Sequence, residues 1–497
     1  MCGIVGISGK FSKDSFLSAV QEIKHRGPDD DGTYFSNLNN IALGHTRLSI
    51  IDLSQLGHQP MFSDDKSVCL IFNGEIYNYK YLRKGLEQKG HTFKSNSDTE
   101  VVLKMIIENG IECLRDFNGI FSLAYYDNDK DDLFIARDRL GIKPLYYYSD
   151  TDSFYFSSEI KAIHKLTKEK FKIDIDSIKR YLTFLWCPGE GTPALHLKKV
   201  LPGEYIHIKN SKIVFKKAWY KLPQISQSRK FNDKKEAIKK IQNVLLASVE
   251  RQMMSDVPVG AFLSGGLDSS SIVALASQIS PQIKCYTIDA LGGTDDFAED
   301  LPYAIKVADY LNVDLEVVKV DHKDLANDLE KMIWHLEEPL ADPAPLNVLY
   351  ISRLARKRGI KVLLSGSGGD DLFTGYRRHL AIRYERFWSW LPIKYRNQLE
   401  KYSSKLDQNK SYGRRLSRLF NQAGSDGNDR LVSYFQWLKR DDLIELFSEK
   451  IKKNLSISDI SKPMIDFLDS SFYENNIDKM LGLEQRFFLS DHNLIYT

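Results

Sequence analysis

The residue that most directly suggests chemistry is the cysteine at position 2, in the opening run MCGIVGI. Removal of the initiator methionine would leave its thiol and a free α-amine on the same residue. An α-amine has a pKa of about 7.7–8.0 and a thiol one of about 8.5, so at neutral pH the amine is able to accept the thiol proton. Cys2 therefore predicts a nucleophile with its own base. Taken alone, an incidental cysteine in an apolar start explains it equally well.

The next hundred residues supply the other parts of an amide-hydrolysing site. Arg47 is able to grip a carboxylate with two hydrogen bonds, and Glu75 and Asp98 are able to accept from an ammonium group. The amide of Asn73 and the backbone N–H of Gly74 offer two donors for an oxyanion. Each also has an ordinary interpretation: residues 73–74 as a hairpin turn, Asp98 as a helix cap, and Arg47 as a surface residue.

In this combination and order, the motifs resemble the N-terminal-nucleophile glutaminase domain of class II glutamine amidotransferases. The resemblance is carried by HRGPDDDG at 25–32, GHTRLSIIDLSQLGHQPM at 44–61, FNGEIYNY at 72–79, SDTE at 97–100, RDRLGIKPLYYY at 137–148 and FSSEIKAI at 156–163. It implies that Cys2 attacks the side-chain amide of glutamine and releases ammonia, with Asn73 and Gly74 as catalytic partners. The implied glutamine-binding residues are Arg47, Leu48, Ser49, Ile50, Ile51, Asn73, Gly74, Glu75 and Asp98.

A second kind of site begins at VPVGAFLSGGLDSSSIVALAS, residues 257–277. A β-branched apolar run, a Ser/Gly loop and an apolar-periodic helix follow one another, which predicts an anion cradle at the start of the helix. The Gly-Lys-Ser/Thr of a Walker A loop and the glycine spacing of a dinucleotide fingerprint are both missing. The loop instead resembles the SGGxDS pyrophosphate-binding loop of ATP pyrophosphatases, which cleave ATP between the α and β phosphates.

About a hundred residues later, KVLLSGSGGDDLFTGYRRH at 361–379 forms a second strand and glycine loop. With CYTIDA at 285–290 and HLEEPLADPAPL at 335–346, it resembles the asparagine synthetase family in order and spacing. Because Mg²⁺ keeps waters and shares phosphate oxygens, Asp268 and Asp370 are enough to hold it. The implied ATP-binding residues are Leu263, Ser264, Gly265, Gly266, Asp268, Ser269, Ile288, Ser365 and Gly366; for Ile288, simple core packing is an equal alternative.

The resemblance implies that a carboxylate, most simply the β-carboxylate of aspartate, attacks the α-phosphorus of ATP and that ammonia then displaces AMP from the acyl-adenylate. One position departs from the family. Its second loop typically reads SGEGxDE, whereas this chain has Ser367 in place of the glutamate, and a serine cannot act as a carboxylate base. The runner-up interpretation is therefore an amidotransferase that amidates another carboxylate, such as a sugar acid in surface polysaccharide synthesis.

The chain ends at LSDHNLIYT, where family members continue into an Asp-Lys/Arg-x-Ser-Met run and further substrate-facing residues. This predicts either a truncated member or a diverged one with an incomplete synthetase half. A third interpretation follows, of another class: a folded partner protein with an impaired synthetase site.

The predicted organisation is a glutaminase domain over 2–210, a linker over 211–233 and a synthetase domain over 234–497. The first domain is expected to be an α+β sandwich of four layers (αββα), and the second an α/β domain with a parallel sheet of the adenine nucleotide α-hydrolase-like type. A net charge of +3 over 497 residues indicates neither nucleic acid nor a membrane as partner. Five scattered cysteines and the lack of a leader favour a reducing, cytoplasmic location. The resemblance allows a homodimer without fixing the oligomeric state.

Overall fold

The structure is a computed structural model that describes residues 1–36, 40–167, 169–223, 233–291, 300–407, 409–453 and 460–496. It consists of an N-terminal half built on two antiparallel sheets and a C-terminal half built on one parallel sheet, followed by helices.

The strands of the N-terminal half form two six-stranded antiparallel sheets. The strands are β1 Gly3–Ser8, β2 Asp30–Phe35, β3 Ile41–Arg47, β4 Met61–Phe62, β5 Val68–Ile76, β6 Gly119–Asp127, β7 Asp132–Arg137, β8 Tyr146–Ser149, β9 Phe154–Ser157, β10 Lys198–Lys199, β11 Glu204–Lys209 and β12 Lys212–Ala218. The first sheet has the order β10-β8-β9-β1-β3-β2, and the second has the order β12-β11-β7-β6-β5-β4.

Four of the five helices of this half lie on the outer faces of the two sheets, and the last leads to the boundary with the C-terminal half. The five helices are α1 Lys13–Glu22, α2 Tyr79–Gln88, α3 Asp98–Asn109, α4 Ile160–Thr167 and α5 Ile175–Phe184, with short 3₁₀ turns at Lys24–Arg26, Gln55–Gly57 and Ile111–Asp116. Side chains alternate between the two faces of each strand. In β1, Ile4 packs between the sheets, whereas Val5 and Ile7 pack under α1 and α4. The predicted four-layer sandwich is confirmed.

The predicted start of the linker is wrong. Residues 212–218, placed in the linker, form the edge strand β12, which pairs antiparallel with β11. The two strands are joined by Asn210 and Ser211, both with positive φ (51° and 63°), as in a two-residue hairpin turn. The sheet therefore extends to Ala218. Of the predicted linker, residues 224–232 lie outside the described residues.

The C-terminal half contains a four-stranded parallel sheet of order β15-β14-β13-β16. Its strands are β13 Val259–Phe262, β14 Lys284–Leu291, β15 Asp314–Asp321 and β16 Val362–Leu364. The helices up to the last strand are α6 Lys234–Gln252, α7 Leu267–Ile279, α8 Asp300–Leu311, α9 His322–Asn327, α10 Leu329–Leu336 and α11 Ala344–Lys357. Because apolar clusters lie on both faces of the sheet, the α/β prediction is confirmed.

A helical region follows β16 and packs against the N-terminal half. Its helices are α12 Gly369–Phe373, α13 Arg377–Glu385, α14 Ile393–Ser403, α15 Ser411–Phe420, α16 Gly427–Ser433, α17 Arg440–Glu445, α18 Glu449–Lys452, α19 Lys462–Asp469, α20 Asn476–Leu483 and a π-helix over Glu484–Asn493. Phe184 and Trp186, at the end of α5, share an apolar cluster with Phe435 and Phe487 of this region. The two halves therefore have a common buried core at their boundary.

Candidate active sites

Cys2 is positioned by the pairing of β1 with β3. The two strands run antiparallel with Gly3 opposite Thr46, so Cys2 comes to lie beside the residues that follow β3. The backbone N–H of Leu48 donates to the Cys2 Sγ at 3.4 Å. Arg26 holds the other side of the residue, because its Nε donates to the Cys2 carbonyl at 2.9 Å.

Burial sets the protonation of the groups around Cys2. It raises the pKa of the Cys2 thiol and lowers that of the Met1 amine to about 5. Removal of Met1 would place the amine on Cys2 in the same surroundings, where burial favours its neutral, proton-accepting form. Lys143, which sequence analysis gave no role, is also buried here, and burial lowers its pKa to about 8. Lys143 lies in the motif RDRLGIKPLYYY, which was the sequence signal that pointed to a role for it.

Asn73, Gly74 and Glu75 lie at the end of β5. Gly74 is paired with Phe121 of β6, so the hairpin-turn interpretation of residues 73–74 is wrong. The Asn73 amide donates to the Ser122 Oγ at 3.4 Å. A Cβ on Gly74 would lie 2.1 Å from the Ile120 carbonyl oxygen, so the neighbouring strand by itself requires glycine at this position.

Glu75 and Asp98 form a pair of buried carboxyl groups. The N–H of Ile76 donates to the Asp98 Oδ2 at 2.8 Å, and the cap of α3 is Ser97 rather than Asp98. Burial raises the pKa of Asp98 to about 6, and burial followed by the charge of Asp98 raises the pKa of Glu75 well above its ordinary value. The Glu75 Oε2 has no hydrogen-bond partner among the described residues. Such a pair is suited to a cationic group, such as an α-ammonium.

Arg47 is buried, and its terminal nitrogens donate to the loop that follows β3. They bond to the carbonyls of Ser54 (2.9 Å), Ile51 (3.4 Å) and Asp52. In this arrangement Arg47 shapes the loop over 48–54, which corrects its interpretation as a surface residue; its predicted grip on a carboxylate stays a prediction. Within the loop, Ser49 and Ile51 are buried, and Leu48 and Ile50 are half-buried.

The first of the two predicted nucleotide loops lies between β13 and α7, at the carboxyl end of the sheet as predicted. Leu263 is buried, and Ser264 is tied to Ser269 through a contact of 3.0 Å between their hydroxyls. Gly265 has φ of +79°, and a Cβ there would lie 2.4 Å from the Ala304 nitrogen. Gly266 caps the N-terminus of α7. The loop is therefore a tight turn directed at a helix N-terminus, which suits an anion.

The second loop follows β16 and packs directly on the first. A Cβ on Gly366 would lie 2.6 Å from the Ser269 nitrogen, and one on Gly369 would lie 2.2 Å from the Asp268 carboxylate. Burial, and then the charge of Asp370, raises the pKa of Asp268. The two predicted metal-binding carboxylates therefore influence each other directly.

These carboxylates fit Mg²⁺ but not a metal held by protein alone. Mutual repulsion of two carboxylates is relieved by a divalent cation, and Mg²⁺ takes its remaining ligands from water and phosphate. Within the described ranges, no group of three or more His, Cys, Asp or Glu side chains is placed to hold a metal.

For two further residues of the predicted synthetase site, Ser367 and Ile288, the structure shows the surroundings but not a role in binding. Ser367 is exposed, and its hydroxyl lies 2.7 Å from that of Ser365, so this position has no carboxylate. Ile288 packs in the apolar cluster on one face of the parallel sheet, with Tyr286 and Val318. Core packing accounts for Ile288, and its contact with a nucleotide stays a prediction.

A cavity of about 280 Å³ lies between the two halves, where no sequence motif marks a passage. It begins at Met1 and Arg26, beside Cys2, and reaches the C-terminal half at Glu338 and Tyr496. Its lining includes ionisable side chains from both halves, namely His25, Arg26, Glu159, Lys199, His335, Glu337, Glu338 and Asp491.

No helix in the described part of the chain is long and apolar enough to cross a membrane.

Both halves of the chain are similar to known proteins. Residues 1–220 match a glutamine amidotransferase domain, and residues 240–494 match asparagine synthase. Glutamine-hydrolysing asparagine synthetase 1 of Bacillus subtilis is 33% identical over 97% of this chain and 74% of its own length. A provisionally named asparagine synthetase of Methanocaldococcus jannaschii is 36% identical over 76% of each chain. The amidase chry2 of Gibberella zeae is 30% identical over 72% of this chain and 55% of its own.

Proposed function

This chain belongs to the family of glutamine-hydrolysing asparagine synthetases, and from that premise we propose that it hydrolyses glutamine at Cys2 and uses the ammonia to amidate aspartate at the cost of ATP. The observation that carries the proposal is the cavity that runs from Met1 and Arg26, which are next to Cys2, to Glu338 and Tyr496 of the C-terminal half. It brings the surroundings of the nucleophile and the ATP-dependent half into one interior.

The glutaminase step uses the groups around Cys2. The α-amine accepts the thiol proton, and the sulfur attacks the amide carbon of glutamine to give a tetrahedral intermediate. The C–N bond of this intermediate breaks, the nitrogen takes the proton back from the α-ammonium and leaves as ammonia, and water hydrolyses the remaining thioester to glutamate. The N–H of Gly74 and the amide of Asn73 are the donors assigned to the oxyanion. The buried pair Glu75 and Asp98 is assigned to the α-ammonium, whose positive charge offsets the repulsion between the two carboxylates.

The synthetase step uses the two glycine loops. An aspartate β-carboxylate oxygen attacks the α-phosphorus, pyrophosphate leaves, and ammonia then displaces AMP from the acyl-adenylate. The loop over 264–269 is assigned to the phosphates, because its N–H groups and the N-terminus of α7 favour negative charge. Asp268 and Asp370 would hold Mg²⁺, which when bound offsets the charge of the phosphates.

The cavity supports transfer of ammonia without release to solvent. Ammonia released into water at neutral pH is mostly protonated and no longer nucleophilic. A passage through the interior avoids this loss. We include this passage in the proposal, together with a cytoplasmic location, where ATP is supplied and the five free cysteines stay reduced. The homodimer stays a prediction.

A second candidate is amidation of a different carboxylate, such as a sugar acid. The observation that favours it is Ser367, which stands where the family has a glutamate. One relative is named an amidase, so similarity within the family does not by itself fix aspartate as the acceptor.

The deciding experiment follows AMP and pyrophosphate release by the purified chain with ATP, Mg²⁺ and glutamine, with and without aspartate, while asparagine and glutamate are quantified by chromatography. The proposal expects AMP formation that depends on aspartate and matches asparagine mole for mole. Glutamate release without aspartate-dependent AMP would overturn aspartate as the acceptor, and a panel of sugar acids would then test the second candidate. Absence of glutamate release would overturn the glutaminase assignment itself.

A further inference from the structure

The glutamine-binding loop over 48–52 lies against the C-terminal half, and Asp256 bonds to it twice. The N–H of Asp256 donates to the Ile50 carbonyl at 3.0 Å. In return, the N–H of Asp52 donates to the Asp256 Oδ2 at 2.8 Å.

Asp52 has the least favourable backbone conformation among the residues of this loop and depends on its contacts to keep it. Its φ is +54°, in the left-handed region that costs a non-glycine residue conformational energy. Such a conformation persists only where surrounding contacts fix it. Within its own half, Asp52 is held by Arg47, Ser54 and Asn96, and its N–H is held by Asp256, which belongs to the other half.

Lys361 holds the same loop from a second point. Its Nζ donates to the Asp29 Oδ2 at 2.7 Å and to the Ser49 carbonyl at 3.4 Å. The N–H of Ser49 donates to that same Asp29 oxygen at 2.8 Å. Lys361, Asp29 and Ser49 therefore form a closed set of contacts around the middle of the loop.

Asp256 and Lys361 precede two neighbouring strands of the parallel sheet. Asp256 lies three residues before β13 and Lys361 lies directly before β16, and these strands are neighbours in the parallel sheet, with Val259 opposite Val362. The opposite ends of the same two strands lead into the two nucleotide loops. The C-terminal half thus contacts the glutamine loop through the strands that carry its own site.

We propose that Asp256 and Lys361 are positioning residues for glutamine hydrolysis, through which the C-terminal half holds the loop over 48–52 in its binding conformation. Neither side chain reaches Cys2 itself; each acts through the backbone of the loop. The inference rests on the proposed function for its kinetic consequence, but the physical tie between loop and strand is independent of the reaction.

The test compares Lys361→Met and Asp256→Ala with the conservative variants Lys361→Arg and Asp256→Asn in the full chain. Arginine keeps a donor, and asparagine keeps an acceptor for the Asp52 N–H. We expect the first two variants to raise the glutamine KM for glutamate release by about five- to tenfold with kcat within about twofold, and the conservative pair to stay near the native values. Lys357→Met, at an exposed position near the end of α11, is the matched control and should leave KM unchanged.

Hydrogen exchange, measured by mass spectrometry on peptides covering 48–54, gives a readout that needs no activity. Exchange should be faster in Lys361→Met and Asp256→Ala than in the native chain and the Lys357→Met control. Unchanged KM and unchanged exchange in both variants would overturn the inference, as would a fall in kcat that the conservative variants do not recover. If the native chain releases no glutamate, the proposed function fails, and the exchange result alone decides the inference.

Discussion

Lys199 and Glu338 form a buried ion pair across the boundary of the two halves, with the Lys199 Nζ 3.1 Å from the Glu338 Oε2. Only 4% and 3% of the two side chains are exposed. Tyr146 donates to the other oxygen of Glu338 at 2.9 Å, and Asp491 lies 3.5 Å from the Lys199 Nζ. The N-terminal half thus supplies both partners of the Glu338 carboxylate, at the wall of the cavity between the halves.

Replacement of Lys199 should therefore destabilise the protein strongly. Lys199→Met leaves the Glu338 carboxylate buried without its cation and removes a cation from Asp491, and loss of one partner of a buried pair costs about 3–5 kcal/mol. The measurement is the free energy of unfolding in urea at neutral pH.

The neighbouring residue provides a matched control. Lys198 pairs with Glu190, but the two side chains are 41% and 39% exposed, and a pair of this kind contributes about 0–1 kcal/mol. Lys198→Met should accordingly be near neutral. Equal effects of the two substitutions would show that burial of the Lys199 pair is not what stabilises the boundary.

The parts of this molecule that can be predicted from sequence are those whose functional groups lie in short, contiguous motifs. Cys2, the SGGLDS loop and the strands beside them carry their chemistry in short runs, because each functional group sits at the end of a strand or the start of a helix. The pair Lys199 and Glu338 has no such signal, since its members are 139 residues apart and meet only when the halves pack. The cavity has no local signal for the same reason.

Other differences between the prediction and the structure concern where strands pair, rather than contacts between residues distant in the sequence. Asn73-Gly74 is a common hairpin signal, yet here the dipeptide lies inside β5, because the apolar run before it and the pairing with β6 continue past it. The true hairpin turn, Asn210-Ser211, was available in the sequence between two alternating runs and marks the strand that the predicted linker had absorbed.

The two-site arrangement predicts that the activities separate by mutation. Cys2→Ala removes the nucleophile, so glutamine-dependent AMP formation should be lost while ammonia-dependent AMP formation stays within about twofold of the native rate. Both rates are measured on one preparation. Cys69→Ala, which changes a core cysteine of β5, is the control and should retain both activities. Parallel loss of both activities in Cys2→Ala would argue against two separate sites.

The reciprocal variant is Asp268→Asn. Asparagine removes one of the two carboxylates assigned to Mg²⁺, so AMP and pyrophosphate formation should be lost while glutamate release continues. Glutamate and AMP are measured side by side with glutamine as the nitrogen source. Asp309→Asn, at an exposed position on α8, should preserve both. Retained AMP formation in Asp268→Asn would exclude Asp268 from the nucleotide site.

Gly265 and Gly266 are adjacent in the first predicted nucleotide loop but differ in the space that they leave for a side chain. Alanine at 265 has to adopt a φ of +79° and to place its Cβ 2.4 Å from the Ala304 nitrogen, whereas at 266 the nearest atom is 3.4 Å away. Gly265→Ala should therefore cost at least about 1–3 kcal/mol of unfolding free energy, and Gly266→Ala should be close to native. Thermal unfolding of the two variants provides the comparison. A similar loss in both would mean that the loop relaxes around either methyl group.

The buried carboxyl of Asp98 should make stability depend on pH in an identifiable way. Its pKa is about 6 in the folded protein, against 3.8 as its ordinary value, so the folded state binds the proton more tightly. The resulting stabilisation is complete below about pH 4 and is lost as the pH rises through 6. Between pH 7 and pH 5 the native chain should therefore gain about 1 kcal/mol relative to Asp98→Asn, which has no proton to bind there.

Urea unfolding of both proteins at pH 5, 6 and 7 measures this difference directly. Comparison of the two chains cancels the titrating groups distant from Asp98, whereas Glu75, whose pKa the charge of Asp98 raises, contributes to the difference. Asparagine keeps an oxygen that accepts from the Ile76 N–H, so the substitution changes charge more than packing. A difference that is constant with pH would mean that Asp98 titrates as in the unfolded chain. In that case Asp98 would be ionised across this pH range at no cost to the folded state, and the buried pair with Glu75 would have no need of a cation.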